Sequence, residues 1–363
     1  MPKAELLRAR GLLVPGSTSE GWQLTNEQAR DVLSIAIGVA QRWKMHVLVA
    51  ALKHDLDAMI QTISDTTQWL QTLAGTQDWL EITRQTRVVG FTVCAPRGDN
   101  LTQEQIRAAL EQVLQLQHPT ALYQLPQVTG NEFSPATFLQ LVERYPNLYL
   151  LKDTSGQDWI ARAGIDPGGV FLVRGAEGGY SRWLKSAGGP YDGLLLSSAN
   201  NFAPQLAEVE RLVTAGRREE ADALSNRIER VVSRCFELVA GVPLGNPFTN
   251  ANKLLDHVLA YGPDATRQPP PVLHGGVRLP RDLIEPVTAA LKEQQLLPER
   301  GYLSAEPGDM LDGAGDPAGD VEIRADRLAG LADLVGVGDP TGVHDGAAGA
   351  RRGAQDGRQL LDQ

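Results

Sequence analysis

The amino-acid sequence predicts an α/β protein: a (β/α)8-type barrel that lacks its first strand. Three observations lead to this fold class. Short apolar, β-rich segments recur between residues 11 and 201, segments with helical spacing lie between them, and the strands are almost continuously apolar. Strand and helix in alternation indicate a parallel sheet with helical crossovers, and continuous apolar runs indicate strands covered on both faces.

Seven segments are predicted to form strands, and each ends in small or polar residues. In chain order they are 11–21, 46–52, 87–96, 120–127, 148–156, 169–178 and 191–201. The helices between them carry start signals. Thr25 is placed to cap a helix with apolar positions three and four apart, and Ser134 followed by Pro135 marks another helix start.

The strand count is one short of the eight that a closed TIM barrel needs. Residues 1–10 resemble the end of a helix that leads into the 11–16 strand, so the missing strand would lie before Met1. We therefore hypothesise a misassigned start. The alternative fold is an open seven-stranded sheet of the doubly wound type.

The chain divides into two regions by composition. Residues 1–300 contain the barrel followed by helical segments, and residues 301–363 are rich in Gly, Ala, Asp and Arg. Such a composition buries little apolar surface, so it predicts a mostly disordered, low-complexity tail that does not complete the barrel. The abrupt change near residue 300 also suggests a frame change there.

Bulk properties exclude several classes of function. The net charge is −10 and the isoelectric point is about 5.2, which argues against nucleic acid as a partner. No stretch approaches the length of a membrane span. Two distant cysteines, Cys94 and Cys235, form no disulfide framework and are typical of a cytoplasmic protein.

The strand ends carry the candidate catalytic residues, because the active site of a parallel barrel lies at the carboxyl ends of its strands. Lys152 ends the strand in "LYLLKDTSG", where a desolvated amine can form a Schiff base with a ketone. Tyr123, on the neighbouring strand, is a candidate proton relay. Ser17 and Thr18, in a turn that contains Gly16, are candidate carboxylate binders.

Four segments together carry a resemblance to a known family. "GSTSEG", "YQLPQVTG", "KDTSG" and "DGLLLSSAN", in this order, resemble motifs of the dihydrodipicolinate synthase / N-acetylneuraminate lyase family of class I aldolases. The resemblance covers about residues 11–297. It implies a TIM barrel, a 2-oxo acid such as pyruvate as substrate or product, Lys152 as the Schiff-base lysine, Tyr123 as the proton relay, and carboxylate binding by Ser17 and Thr18.

The substrate pocket is expected to include Gly175 and Leu195, with Arg174 and Arg97 as candidates for gripping the distal part of the substrate. The resemblance also implies a homo-oligomer, a dimer or a tetramer. No cofactor is expected, because the sequence has neither metal-ligand spacing nor a phosphate-binding loop.

Two departures from the family pattern bear on the reaction. "CAPRGDN" lacks the tyrosine pair of the synthase branch, and Val128 stands where the synthase has an arginine. We therefore expect a lyase, an aldolase or a dehydratase acting on another 2-oxo acid, and not the synthase of lysine biosynthesis.

Each candidate residue also has a purely structural interpretation. Lys152 would be an exposed strand-end lysine, Tyr123 a core tyrosine, and Ser17 and Thr18 would be capping residues. Glu20 is expected to be structural. The alternative function is a truncated, catalytically impaired barrel with a binding or structural role.

Overall fold

The computed structural model describes residues 11–303 and the backbone of residues 333–337. The strands are β1 (Gly11–Val14), β2 (His46–Ala50), β3 (Val88–Cys94), β4 (Thr120–Gln124), β5 (Leu148–Asp153), β6 (Phe171–Arg174), β7 (Gly193–Leu196) and β8 (Asp333–Val337). The helices are α1 (Asn26–Trp43), α2 (Leu56–Ala74), α3 (Trp79–Thr86), α4 (Gln103–Leu114), α5 (Pro126–Thr129), α6 (Pro135–Arg144), α7 (Trp159–Arg162), α8 (Ala199–Thr214), α9 (Arg218–Val239), α10 (Pro247–Tyr261) and α11 (Ile284–Glu293).

Two helices begin at the capping residues that the sequence predicted, Thr25 and Ser134. The Thr25 side chain accepts the backbone N–H of Gln28, and the Gln28 side chain returns a bond to the Thr25 backbone, which forms a capping box at the start of α1. The Ser134 side chain accepts the backbone N–H of Thr137 at the start of α6, and Pro135 is the first residue of this helix. Both predicted caps are confirmed.

Strands β1 to β7 are parallel and lie side by side in chain order. The predicted succession of seven strands with helical crossovers is confirmed. The sheet is closed, so it is not the open, doubly wound sheet of the alternative prediction. Register places Tyr123 of β4 directly beside Lys152 of β5. Neighbours in register on parallel strands share a face of the sheet, so both side chains lie on the same side.

The barrel is closed by β8, which pairs antiparallel with both β1 and β7. The prediction that the tail does not complete the barrel is therefore wrong. Edge strands carry unpaired N–H and C=O groups, and any extended backbone can supply partners, whatever its side chains. The predicted disorder of the rest of the tail, and the predicted helix end at residues 1–10, lie outside the described residues.

Two apolar cores hold the fold together. The inner core fills the barrel with side chains from all seven parallel strands, among them Leu13, Leu48, Cys94, Tyr123, Leu150, Val173 and Leu195. The outer core lies between the strands and the helices. Helices α8 and α9 follow β7 in the chain, and α10 packs against the turn that follows β1. This contact brings the C-terminal helices to the carboxyl ends of the strands.

Candidate active site

A cavity of about 230 Å³ opens at the carboxyl ends of the strands. Its lining residues are Ser17, Thr18, Tyr123, Gln127, Lys152, Thr154, Ser155, Gly156, Gly175, Ala176, Glu177, Ser197, Phe236 and Phe248. The structure thus brings five of the residues predicted from the sequence into one cavity. They come from four different strand ends, which is where a parallel barrel places its reactive groups.

Lys152 lies inside the barrel and is 2% exposed. Its Nζ is 4.3 Å from the centroid of the Tyr123 ring. An exposed strand-end lysine is therefore excluded for this position. A buried amine is unusual among lysines, because burying the ammonium form is costly.

The absence of a side chain at Gly175 makes room for Lys152. A Cβ on Gly175 would lie 2.9 Å from Lys152 Cε and 2.1 Å from Thr154 Oγ1. Contacts below 3.0 Å force neighbouring atoms to shift. Gly175 therefore sets the path of the lysine side chain into the cavity.

Ser17 and Thr18 form part of a short 3-10 helix, Ser17–Ser19, that follows β1. Both are buried, and both line the cavity. The Trp22 indole Nε1–H donates to Ser17 Oγ at 2.9 Å. The Thr249 hydroxyl of α10 donates to the Ser17 carbonyl at 3.1 Å, which ties the turn to the C-terminal helices.

Glu20 ends this turn and has a structural role, as the sequence predicted. One of its carboxylate oxygens accepts Lys253 Nζ at 2.7 Å, and the other accepts the backbone N–H of His274 at 2.7 Å. Lys253 also donates to the Val272 carbonyl. Glu20 and Lys253 together fasten the turn after β1 to the segment that follows α10.

The remaining predicted pocket residues lie away from the cavity lining. Leu195 belongs to the inner core of the barrel. Arg174 is buried on the other side of β6, where its guanidinium donates to Asp158 and to the Ala176 carbonyl. The Arg97 side chain is exposed. This geometry does not support a grip on the substrate by Arg174, because its donors are already directed elsewhere.

A buried polar network lies on the outer face of β5 and β6, opposite to the face that carries Lys152. The Tyr191 hydroxyl donates to Asp158 at 2.6 Å, and Asp158 also receives the Arg174 guanidinium. Asp153, next to Lys152, accepts the backbone N–H and the hydroxyl of Ser155. Burial raises the pKa of the Asp153 carboxyl, and the nearby Asp158 adds to this. The network fixes the loop that carries Thr154 and Ser155.

Sequence reasoning missed several lining residues. Thr154 Oγ1 is buried with no hydrogen-bond partner and lies beside the lysine. Glu177 accepts hydrogen bonds from the Ser198 N–H and hydroxyl and from the Tyr180 hydroxyl. Thr154 lies two residues after Lys152, and Glu177 lies two residues after Gly175. This nearness to predicted pocket residues was the signal in the sequence that could have identified them. Phe236 and Phe248, whose rings meet edge to face at 5.8 Å, gave no such signal.

His54 and Cys94 lie near the cavity without lining it. His54 is exposed and stacks on Trp22 with ring centroids 4.9 Å apart. Its pKa is lowered by partial burial and by the nearby Arg97. Cys94 is fully buried in the inner core, where burial raises the pKa of its thiol. A protonated, buried thiol is a packing group rather than a nucleophile.

Within the described residues, no group of three or more His, Cys, Asp or Glu is arranged to hold a metal ion. In the same part of the chain, no helix has the length and apolar character needed to cross a membrane.

Comparison with known proteins identifies the family. The model of the dihydrodipicolinate synthetase family matches residues 55–248, more than half of the 363-residue chain. No curated protein sequence matches the chain.

Solved structures share the fold. YagE from E. coli K12, a prophage protein of the dihydrodipicolinic acid synthase family in complex with pyruvate, is 19% identical with a TM-score of 0.61. That match covers 80% of this chain and 90% of YagE. Lysine-bound dihydrodipicolinate synthase from Cyanidioschyzon merolae is 20% identical with a TM-score of 0.58, over 81% of this chain and 90% of the synthase.

A third structure is a variant of the Sulfolobus solfataricus 2-keto-3-deoxygluconate aldolase in complex with L-2-keto, 3-deoxy-galactonate. It is 17% identical with a TM-score of 0.58, over 81% of this chain and 91% of the aldolase. These similarities show the barrel fold, and the match to the family model shows the family. The chain belongs to the dihydrodipicolinate synthetase family, which includes class I pyruvate-dependent aldolases and lyases.

Proposed function

We propose that this protein is a Schiff-base lyase or aldolase that acts on pyruvate or a related 2-oxo acid through Lys152. The observation that carries the proposal is the burial of Lys152 inside the barrel, against the Tyr123 ring and beside the cavity. Burial disfavours the ammonium form, and the neutral amine is the form that attacks a ketone.

In the proposed reaction, Lys152 Nζ attacks the ketone carbon of the 2-oxo acid, and the ketone oxygen leaves as water. The resulting iminium ion accepts the electron pair of the bond between C3 and C4 when that bond breaks. For a 4-hydroxy-2-oxo acid, the hydroxyl proton at C4 passes to a base and an aldehyde leaves. The enamine that remains takes up a proton at C3 and becomes the imine of pyruvate. Water then hydrolyses this imine, which releases pyruvate and restores the amine.

The neighbouring residues have distinct roles in this proposal. Tyr123 lies against Lys152 in register, so its phenol is the proposed proton relay. Ser17 and Thr18, buried in the turn after β1, are the proposed binders of the substrate carboxylate. Hydroxyl donors suit a carboxylate because charge-assisted hydrogen bonds are stronger than neutral ones.

The rest of the lining suggests what the distal part of the substrate carries. Thr154 Oγ1, buried without a partner, can bond to a substrate hydroxyl. Among the described residues that line the cavity, Lys152 is the single basic side chain and Glu177 the single carboxylic acid side chain. A second carboxylate on the substrate would find no cation there. The lining therefore favours a 2-oxo acid that carries hydroxyl groups and a single negative charge. The alternative reaction at the same lysine is a dehydration, in which a substrate hydroxyl leaves as water.

We further propose a homo-oligomer in the cytoplasm. Both described cysteines, Cys94 and Cys235, are reduced and buried. Reduced thiols fit a reducing compartment. The oligomer is proposed from the family resemblance, and size-exclusion chromatography with light scattering tests it.

The proposal is tested by cleavage of 4-hydroxy-2-oxo sugar acids, with released pyruvate as the readout. Lys152→Arg should abolish release, because a guanidinium stays protonated and cannot act as the amine. The matched control is Lys185→Arg, since Lys185 is a surface lysine paired with Asp192. Equal activity of wild type and Lys152→Arg would contradict the proposal.

The competing hypothesis is a catalytically impaired barrel that binds a 2-oxo acid without turnover. It predicts that pyruvate binds saturably and that this binding does not depend on the amine of Lys152. It also predicts that none of the 4-hydroxy-2-oxo sugar acids tested releases pyruvate.

A further inference from the structure

We propose that Trp22 is a positioning residue for substrate binding: its indole N–H fixes the Ser17 hydroxyl as a hydrogen-bond donor toward the substrate carboxylate. The inference rests on the proposed function, because it concerns the same cavity. It assigns a role to a side chain that is outside the cavity lining and that acts through Ser17.

The direction of the Trp22–Ser17 bond is determined by chemistry. An indole N–H can only donate, so Ser17 Oγ must accept at the observed distance of 2.9 Å. A serine hydroxyl has a single hydrogen, and the bond to Trp22 leaves that hydrogen to be donated to another group. Ser17 is 3% exposed and lines the cavity, so a ligand in the cavity can receive this hydrogen.

Both ends of this arrangement are held in place. The Trp22 ring stacks on His54 with an interplanar angle of 19°, and it packs against the inner core of the barrel. The Ser17 carbonyl accepts the Thr249 hydroxyl and, at 3.4 Å, the Asn246 side-chain amide. The hydroxyl is thus oriented before a ligand arrives, which lowers the entropy cost of binding.

A second hydroxyl of the cavity lining, that of Ser197, also accepts a hydrogen bond from an N–H group. The Asn252 side-chain Nδ2 donates to Ser197 Oγ, and it also donates to the Phe248 carbonyl at 2.8 Å. A carbonyl accepts only, which fixes the orientation of the Asn252 amide. Ser197 therefore also accepts from an N–H group and keeps its own hydrogen for the cavity. Two buried hydroxyls of the lining, those of Ser17 and Ser197, thus each keep a hydrogen that can be donated to an anionic ligand in the cavity.

The test is a pyruvate titration with borohydride reduction. Borohydride delivers a hydride to the imine carbon, which converts the adduct into a stable secondary amine on the lysine. Trp22→Phe keeps the ring and removes the N–H. We expect the pyruvate concentration that gives half-maximal trapping to rise about tenfold, with the maximal extent of trapping unchanged.

Two controls separate positioning from general damage. Trp79→Phe is the matched control, because the Trp79 Nε1 is buried without a hydrogen-bond partner, and it should leave the titration unchanged. Acetone is the second control, since it forms an imine but carries no carboxylate. Trapping of acetone should be the same in wild type and Trp22→Phe. An equal loss with both ketones would overturn the proposal.

A double-mutant cycle with Ser17→Ala tests whether Trp22 acts through Ser17. The double variant should bind pyruvate no more weakly than Ser17→Ala alone, whereas additive losses would contradict the mechanism. If wild type gives no adduct on Lys152, the proposed function fails and the inference fails with it. If wild type is trapped and Trp22→Phe titrates like wild type, the inference alone fails.

Discussion

Substitution of Gly175 by alanine tests whether the packing around Lys152 controls its reactivity. The added Cβ would lie 2.9 Å from Lys152 Cε and 2.1 Å from Thr154 Oγ1. Ordinary van der Waals contact begins near 3.4 Å, so the lysine must move by about half an ångström and the threonine by more. The Gly175 backbone lies outside the left-handed region, so alanine adds no backbone strain there.

We expect this displacement to act on chemistry more than on folding. A misplacement of about 1 Å can reduce a rate on the order of a hundredfold, and the extra methyl group costs about 1–3 kcal/mol of unfolding free energy. The assay is steady-state release of pyruvate, with thermal unfolding followed in parallel. Gly175→Ala should lose about 10- to 100-fold in turnover while remaining folded.

The matched control is Gly38→Ala in α1. Gly38 is exposed, and its added Cβ would meet nothing within 4 Å. Alanine is the better helix former, so this variant should be slightly more stable and fully active. Wild-type turnover in Gly175→Ala would refute the reasoning, because it would mean that the position of the lysine does not limit the reaction.

Three further predictions follow from the site and the barrel. Tyr123→Phe keeps the ring against Lys152 and removes the hydroxyl, so turnover should fall by roughly 10²–10⁴-fold with the fold intact; an unchanged rate would leave Tyr123 a packing residue. Condensation of pyruvate with aspartate semialdehyde should be negligible, because Val128 stands in place of an arginine and residues 94–100 contain no tyrosine. The assay follows the consumption of both substrates, and efficient turnover would contradict this interpretation. Removal of residues 304–363 takes away β8 and leaves the edges of β1 and β7 unpaired. The free energy of unfolding should therefore fall by about 2 kcal/mol or more, and the melting temperature should fall with it. An unchanged melting temperature would show that β8 is not needed for stability.

Much of the candidate site could be predicted from the sequence. Parallel strands end at one rim, so Lys152, Tyr123 and the Ser17–Thr18 turn had to lie near one another once the strands were identified. The helix caps at Thr25 and Ser134 followed from local chemistry that involves residues only three positions apart.

The position of Arg174 shows how a pattern in the sequence can mislead. Arg174 stands at a strand end, like Lys152, and for that reason it was a candidate for gripping the substrate. Register pairs Lys152 with Val173, so Val173 shares the inner face and Arg174 faces the helices. There it meets Asp158. The sequence gives the alternation of faces within a strand, but the register between β5 and β6 comes from the structure.

Other features depend on contacts that no local pattern reveals. Phe236 and Phe248 reach the cavity because α9 and α10 fold back over the strand ends, and each aromatic residue alone is typical of a helix core. The Trp22–Ser17 bond joins residues five apart through the geometry of one turn. Closure by β8 depends on edge pairing of the backbone, which composition does not specify.

The central claim is that the buried Lys152 forms a covalent imine with a 2-oxo acid. The most direct measurement is peptide mapping by mass spectrometry after incubation with pyruvate and borohydride. The account predicts a carboxyethyl adduct on the peptide that contains "LYLLKDTSG", and none in Lys152→Arg. An adduct on Lys53, Lys185 or Lys253 instead, or no adduct on the folded wild-type protein, would contradict it.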